Sequence, residues 1–311
     1  MTAPPEPPLA DEPRAPAAWV EAGRPGLGAA LGRLRAFPAL LWGHRDLIVT
    51  SVRRDLAARL AGTLLGRLWP LLQPLLLFGV YYFIFTKLLG FKLPDLPAEH
   101  APAMGVYMFL GVCVWTALAD SLTRCTQVVV DNGNLIKKVA FPAELLPLNL
   151  VLAHLFTMGV ALFAFVVATL VTSVWRPPGA LLALFPLLLV LQAMFTAGLG
   201  FLCATCHVFL RDTAHFVAVL ATMWMFATPV FWVPSPRVLP GIERWLPLVE
   251  LNPMHHLLYV WRAVLMSGEP ALCFEAPIAR SLGIFAACAL ALFAIGYLAF
   301  SLCVRRFADE V

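Results

Sequence analysis

Six stretches of this chain are each long and apolar enough to fill the hydrocarbon core of a bilayer, and they leave little else from which to build a fold. A core of about 30 Å is crossed by about 20 consecutive apolar residues in a helix. The stretches lie near Leu68–Lys87, Met104–Arg124, Leu145–Val174, Leu181–Phe209, Phe216–Val233 and Ser281–Val304. Backbone in lipid must satisfy its own hydrogen bonds, so segments of this kind are helices. The fold class predicted is therefore an all-α integral membrane protein with six transmembrane helices. Composition agrees, with 61% of residues hydrophobic and 13% charged. A net charge of +4 is small for a chain of 311 residues and gives no support to nucleic-acid binding. The third and fourth stretches exceed the bilayer thickness, which predicts tilt or projection beyond it.

An even number of spans puts both termini on one side of the membrane. That side then carries Arg45, Arg53, Arg54, Arg59, Arg67, Lys137, Lys138, Arg211, Arg305 and Arg306, and the excess of basic residues marks it as cytoplasmic. On the other side, Arg237, Arg244, Arg262 and Arg280 are diluted by Glu243, Glu250, Glu269 and Glu275. Six of the seven cysteines lie in or at the ends of apolar runs and read as small membrane-embedded hydrophobes, not as a disulfide framework.

Residues 1–41 are rich in Pro, Ala, Gly and Arg, which predicts a disordered cytoplasmic tail. No apolar core of signal-peptide length precedes Leu68, so the first span is expected to act as its own insertion signal. Residues 42–67 show an amphipathic pattern. Leu47, Ile48, Val52, Leu56 and Leu60 form its apolar stripe, and Arg53, Arg54, Asp55 and Arg59 its polar face. A basic amphipathic helix just before a span tends to lie in the membrane interface. Residues 68–304 form the six-span domain and 305–311 a cytoplasmic end. Between the fifth and sixth spans, the run Trp245–Leu265 is broken by Pro247 and Pro253. It is expected to form a pair of short re-entrant helices dipping into the outer leaflet.

The short polar segment from Asp131 to Pro142, pinned between two long apolar runs, admits two readings. Asn132-Gly133-Asn134 favours a chain reversal, and Lys137-Lys138 holds it on the cytoplasmic side. Alternatively, Leu135, Ile136, Val139 and Phe141 give a helix of one or two turns an apolar docking face, with Pro142 stopping it.

Other polar groups are less informative. Asp120 and Arg124 stand one turn apart and are expected to neutralise each other. His154, at membrane depth, is expected to face a bundle interior or an aqueous path. Cys203-Ala204-Thr205-Cys206-His207 matches a haem-attachment pattern, but the predicted topology puts it at the inner end of its span. His255 and His256 are adjacent, point about 100° apart on a helix and make poor joint metal ligands. No metal site is expected. The sequence contains no Walker A loop, Rossmann fingerprint or nucleophile elbow, and no catalytic set stands out. The aromatics Tyr81, Tyr82, Phe85, Trp115, Trp224, Phe231 and Trp232 suit an interfacial belt, or a path on which flat rings stack against sugars.

Several of these segments, taken in order, carry a resemblance. They are Arg54-Asp55-Leu56 through Gly66-Arg67-Leu68-Trp69-Pro70 to Pro74, Asn134-Leu135-Ile136-Lys137-Lys138-Val139-Ala140-Phe141-Pro142, Phe209 to Thr213, Leu251-Asn252-Pro253-Met254, and Arg305-Arg306-Phe307-Ala308. Together they resemble the permease subunits of ATP-binding-cassette exporters of cell-surface polysaccharides, the group that includes O-antigen, teichoic-acid and capsule exporters. The resemblance implies a homodimer in the bacterial inner membrane with two copies of a separate ATPase that binds ATP and Mg. This chain would itself hold no cofactor and have no enzymatic activity. It further implies that Asn134–Pro142 is the coupling helix and that Arg211 and Asp212 form a second cytoplasmic contact. The helix of Arg53, Arg54, Asp55 and Arg59 would be the interface helix, and the segment around Asn252 and Pro253 would border the outer gate. The implied substrate is a lipid-linked glycan; a small lipid or drug exporter of the same architecture is the alternative.

Overall fold

A computed structural model of the protein describes residues 27–60, 103–138, 142–172, 179–236, 239–266 and 277–310, together with isolated residues between 68 and 90. Among the described residues the regular structure is entirely helical. The helices are α1 (Leu27–Gly43), α2 (Arg45–Leu60), α3 (Ala103–Asp131), α4 (Gly133–Lys138), α5 (Leu145–Thr172), α6 (Phe185–Phe209), α7 (Thr213–Ala227), α8 (Leu246–Glu250), α9 (Pro253–Leu265) and α10 (Ile278–Glu310). Short 3₁₀ turns lead into α6 and α8. Among the described residues four helices, α3, α5, α6 with its leading turn, and α10, are long and apolar enough to cross a membrane. The expected first span, Leu68–Lys87, lies largely outside the described residues; a π-helical turn is present at Phe83–Leu88.

Two expectations are corrected. Residues 27–41, assigned to the disordered tail, belong to α1. The prolines crowd before Pro25, and the stretch that follows supplies Leu27, Leu31, Leu34 and Phe37, with Pro38 the helix's one internal proline. Phe37 is buried edge-on against Phe293 and Tyr297 of α10, at 5.1 and 5.0 Å between ring centroids. The fifth apolar stretch also does not continue as helix to Val233. α7 stops at Ala227, before Thr228-Pro229, and the chain runs on without regular structure past Pro234. Pro229 disfavours the helical region for Thr228 and has no N–H to donate, so the helix ends although the hydropathy continues. At 1.5 Å per residue the 15 residues of α7 cover about 22 Å, short of the core's thickness of about 30 Å.

α3 is the most deeply buried of the four long helices and packs against α5, α6, α7 and α9. α6 and α10 share the largest helix–helix interface, and glycine makes it possible. A Cβ on Gly198 would lie 2.5 Å from the Leu292 carbonyl, and one on Gly296 would collide with the backbone of Gly198. Small residues that let backbones touch are the usual means of associating helices in lipid, where hydrophobic burial contributes no net attraction. On one side of this contact Phe195 packs on Phe285, and on the other Phe201 packs on Tyr297 and Phe300, and Phe209 on Phe307.

Candidate functional site

Two clusters stand at opposite ends of the bundle. The first, at the end expected from the sequence to be the inner one, is built on α4. Asn132 closes the end of α3 by donating from Nδ2 to the Val128 carbonyl at 2.8 Å, and Leu135 N–H bonds back to Asn132. The chain then turns into α4, a single helix of six residues. Asn134 and Lys137 are exposed, Leu135 is half-buried against the core, and α4 rests on α10. Ile136 and Lys138 lie on the same helix, and Val139 and Phe141 are outside the described residues. Pro142 is the point from which α5 is launched, its carbonyl accepting from Leu145 N–H at 2.9 Å. The segment is thus a short helix held at both ends by long ones. Arg211 and Asp212 form the exposed turn between α6 and α7, where Asp212 accepts the first backbone bonds of α7.

On α2, Arg53 and Arg54 are exposed, and Arg59 is carried one turn further on. Asp55 makes the tie that matters. Its two oxygens receive Nη2 of Arg124 at 3.0 Å and Nη1 at 3.4 Å, so α2 is joined to the inner part of α3. The sequence offers Asp120, one turn away on the same helix, as the partner of Arg124; in the structure the fork of the guanidinium is taken by Asp55. A planar fork matches a carboxylate that faces it squarely, which a side chain reaching across from another helix can do.

The second cluster, at the end expected to be the outer one, gathers the ends of α7, α8 and α9 and the start of α3. Asn252 caps α9: its Oδ1 accepts from Met254 N–H at 3.1 Å, and Pro253 occupies the first turn, where no N–H is needed. The same Oδ1 accepts from Trp224 Nε1 at 3.0 Å, and Nδ2 donates to Thr228 Oγ1 at 2.8 Å. One asparagine therefore joins the end of α7 to the start of α9. His256 bridges α8 to α10, with Nε2 at 2.8 Å from the Glu250 carbonyl and Nδ1 at 3.2 Å from Ser281 Oγ. A carbonyl only accepts, so Nε2 carries the proton and Ser281 donates to Nδ1. Burial, then His256 and Arg262, hold the His255 imidazole down at about 3, so it stays neutral at physiological pH. Gln192 ties α6 to α9 by accepting from Trp261 Nε1 at 3.0 Å.

The residue that sequence reasoning missed is Arg262. It is only 3% exposed. Its Nε donates to the Tyr107 carbonyl at 3.2 Å, Nη1 to Pro229 at 2.8 Å and Nη2 to Val230 at 3.0 Å. The guanidinium carbon lies 3.3 Å from the centre of the Tyr107 ring, and Tyr107 donates its hydroxyl to the Trp232 carbonyl at 3.1 Å. Burial draws Arg262 down to about 10, with Tyr107 opposing that shift, so the side chain remains a cation. A count of outer-loop charges treats it as one more arginine. The available signal was its place inside the apolar run Leu257–Leu265, since an ionisable residue there signals an interior partner.

The aromatic candidates divide. Trp115 and Phe231 are buried in the core, Trp115 edge-on to Trp224 at 5.5 Å, so in this conformation they pack and do not line a path. Trp224 and Trp232 are half-buried. Tyr81 and Tyr82 are outside the described residues, and Phe85 lies on the π-helical turn. His154 faces the interior, its Nδ1 2.9 Å from the Leu150 carbonyl one turn back. Cys203 is half-buried, Cys206 exposed and His207 buried along a single helix, so the five-residue motif does not converge on one point.

Residues 46–266, which hold α4, Arg124 and Arg262, match the ABC-2 type transporter family. The chain belongs to that family. This ABC-2 transporter chain is 32% identical over 241 residues to the O-antigen export system permease protein RfbA of Myxococcus xanthus, covering 76% of the chain and 88% of that protein. It is 27% identical over 230 residues to a protein of the same name from Klebsiella pneumoniae, covering 72% and 81%. As an ABC-2 transporter chain it is a multi-pass membrane protein and a transport component, not an enzyme.

Proposed function

We propose that this chain is the permease subunit of an ATP-driven ABC exporter that moves a cell-surface polysaccharide, carried on a lipid, out of the cytoplasm across the inner membrane. The observation that carries the reading is the likeness to O-antigen export permeases over most of both chains. The position of α4 between two long helices, with Asn134 and Lys137 exposed, supports its role as the coupling helix, with Arg211 and Asp212 as a second contact. Its partner is an ABC ATPase, two copies of which hold ATP and Mg against a homodimer of this chain. In this reading the first span is Leu68–Lys87, and the fifth is α7 completed by the irregular segment after it. α8 and α9 are the re-entrant pair at the outer leaflet, and both termini are cytoplasmic. Trp245, Leu248 and Leu251 expose apolar side chains on or beside α8, as a helix dipping into lipid requires. The exposed face of α7, with Phe216, Val219, Leu220, Met223 and Phe226, suits lipid or the second copy.

In the cycle, closure of the ATPases displaces α4, and the rigid helices on either side carry the displacement into the membrane. Deleting the gene should remove polysaccharide from the cell surface and accumulate lipid-linked glycan inside; the trapped glycan then identifies the substrate. Unchanged surface glycan would turn the reading toward a small lipid or drug as cargo. Lys137→Glu should abolish export while the protein still inserts and dimerises; normal export from that variant would remove α4 from the coupling role.

A further inference from the structure

The irregular segment after α7 is fastened by one pair of side chains. Arg262 holds the carbonyls of Pro229 and Val230, and Tyr107 holds that of Trp232. The two are themselves locked together, since Arg262 also takes the Tyr107 carbonyl and stacks on its ring. Gly111 makes the room. A Cβ there would lie 2.6 Å from Arg262 Nη2 and 2.7 Å from the Val230 oxygen. Tyr107 stands at one end of α3, and the other end of α3 runs through Asn132 straight into α4. α3 has 29 residues and no internal proline, so it is a rod of about 43 Å.

We propose that Arg262 and Tyr107 are positioning residues that convert movement of α3, driven from α4, into movement of the Thr228–Val233 segment at the outer exit. The inference rests on the reading of α4 as the coupling helix and of the segment as a border of the exit. A cation shared among backbone carbonyls suits this task. Its donors are fixed in one plane, so the three carbonyls and the ring move as a unit, and no carboxylate is needed that a passing anionic substrate would repel. Lysine keeps the charge but presents a compact ammonium that cannot span the same carbonyls.

The test uses the full complex with its ATPase and a Trp232→Cys variant, labelled from outside with a membrane-impermeant maleimide, with and without a non-hydrolysable ATP analogue. The same complex without that substitution gives the background from native thiols. Nucleotide should change the labelling rate in the Trp232→Cys parent. Adding Arg262→Lys should shrink that nucleotide-dependent change by about fivefold or more, the low end of coupling between distant sites, while ATP hydrolysis by the complex continues. Tyr107→Phe, which removes only the hydroxyl bond to the carbonyl of residue 232, should shrink it less and leaves the protein folded if Arg262→Lys does not. A nucleotide response that survives intact in either variant once inserted overturns transmission by this pair alone. Absence of any response in the parent overturns the exit reading beneath it.

Discussion

Arg124 and Arg262 act near opposite ends of α3, about 25 Å apart along the helix by its rise per residue, and they hold on in opposite ways. Arg124 meets a carboxylate, Asp55, with 42% and 19% of the two side chains exposed. Arg262 is buried and meets carbonyl dipoles and a ring. The inner tie is an ion pair in contact with solvent, which can exchange its partner for water at little cost. The outer tie has no such alternative, because an unsatisfied carbonyl or a stranded cation in a dry site is expensive. The same residue type thus gives a joint that yields at the end where an ATPase is proposed to push, and a joint that does not yield at the end where the path is proposed to open.

The comparison breaks most clearly at the outer end. Arg262→Met should destabilise the purified protein by about 3 kcal/mol or more, since each of three buried carbonyls left without its donor costs about 1–3 kcal/mol; a thermal midpoint close to that of the parent would show that the carbonyls find other donors. Next comes Asn252→Ala, which removes the cap of α9 and the acceptor of Trp224. It should cost about 1–2 kcal/mol, visible as a lowered midpoint and a red-shifted tryptophan emission. Smallest is Asp55→Asn, worth about 0.2–1 kcal/mol. Its effect should fade as salt is raised, and Asp55→Arg combined with Arg124→Asp should restore the parent's behaviour. A loss at Asp55 as large as that at Arg262, insensitive to salt, would abolish the distinction between the two ends.

Hydropathy made most of this architecture legible. The expected spans at Met104, Leu145, Leu181 and Ser281 begin within three residues of the helices or turns found there. The end of α7 was legible too, but from Pro229 and not from hydropathy, which counts valine, phenylalanine and tryptophan alike whether or not the backbone can stay helical. The helix in the N-terminal region was hidden by averaging composition over a tail whose prolines, Pro38 apart, stop at Pro25 before Leu27 begins α1. Long-range ties were the least legible. That Arg124 reaches α2, that Trp115 faces Trp224, and that Arg262 turns inward all depend on which helices become neighbours, and no local period encodes that. The short helix at Leu135 was accessible because its constraint is local, with two long helices leaving only a handful of residues between them.

The contact at Gly198 and Gly296 limits how the protein can change shape. Two helices whose backbones touch have no side-chain layer to shear, so sliding or rolling one past the other would drive main chain into main chain. α6 and α10 therefore keep their mutual register through any conformational cycle and count as one body with one set of degrees of freedom. A passage wide enough for a sugar chain cannot open along that seam. In the proposed export cycle it forms beside α7, which like α2 has no buried residue among those described, so that the cargo passes beside the protein's firmest joint and not through it.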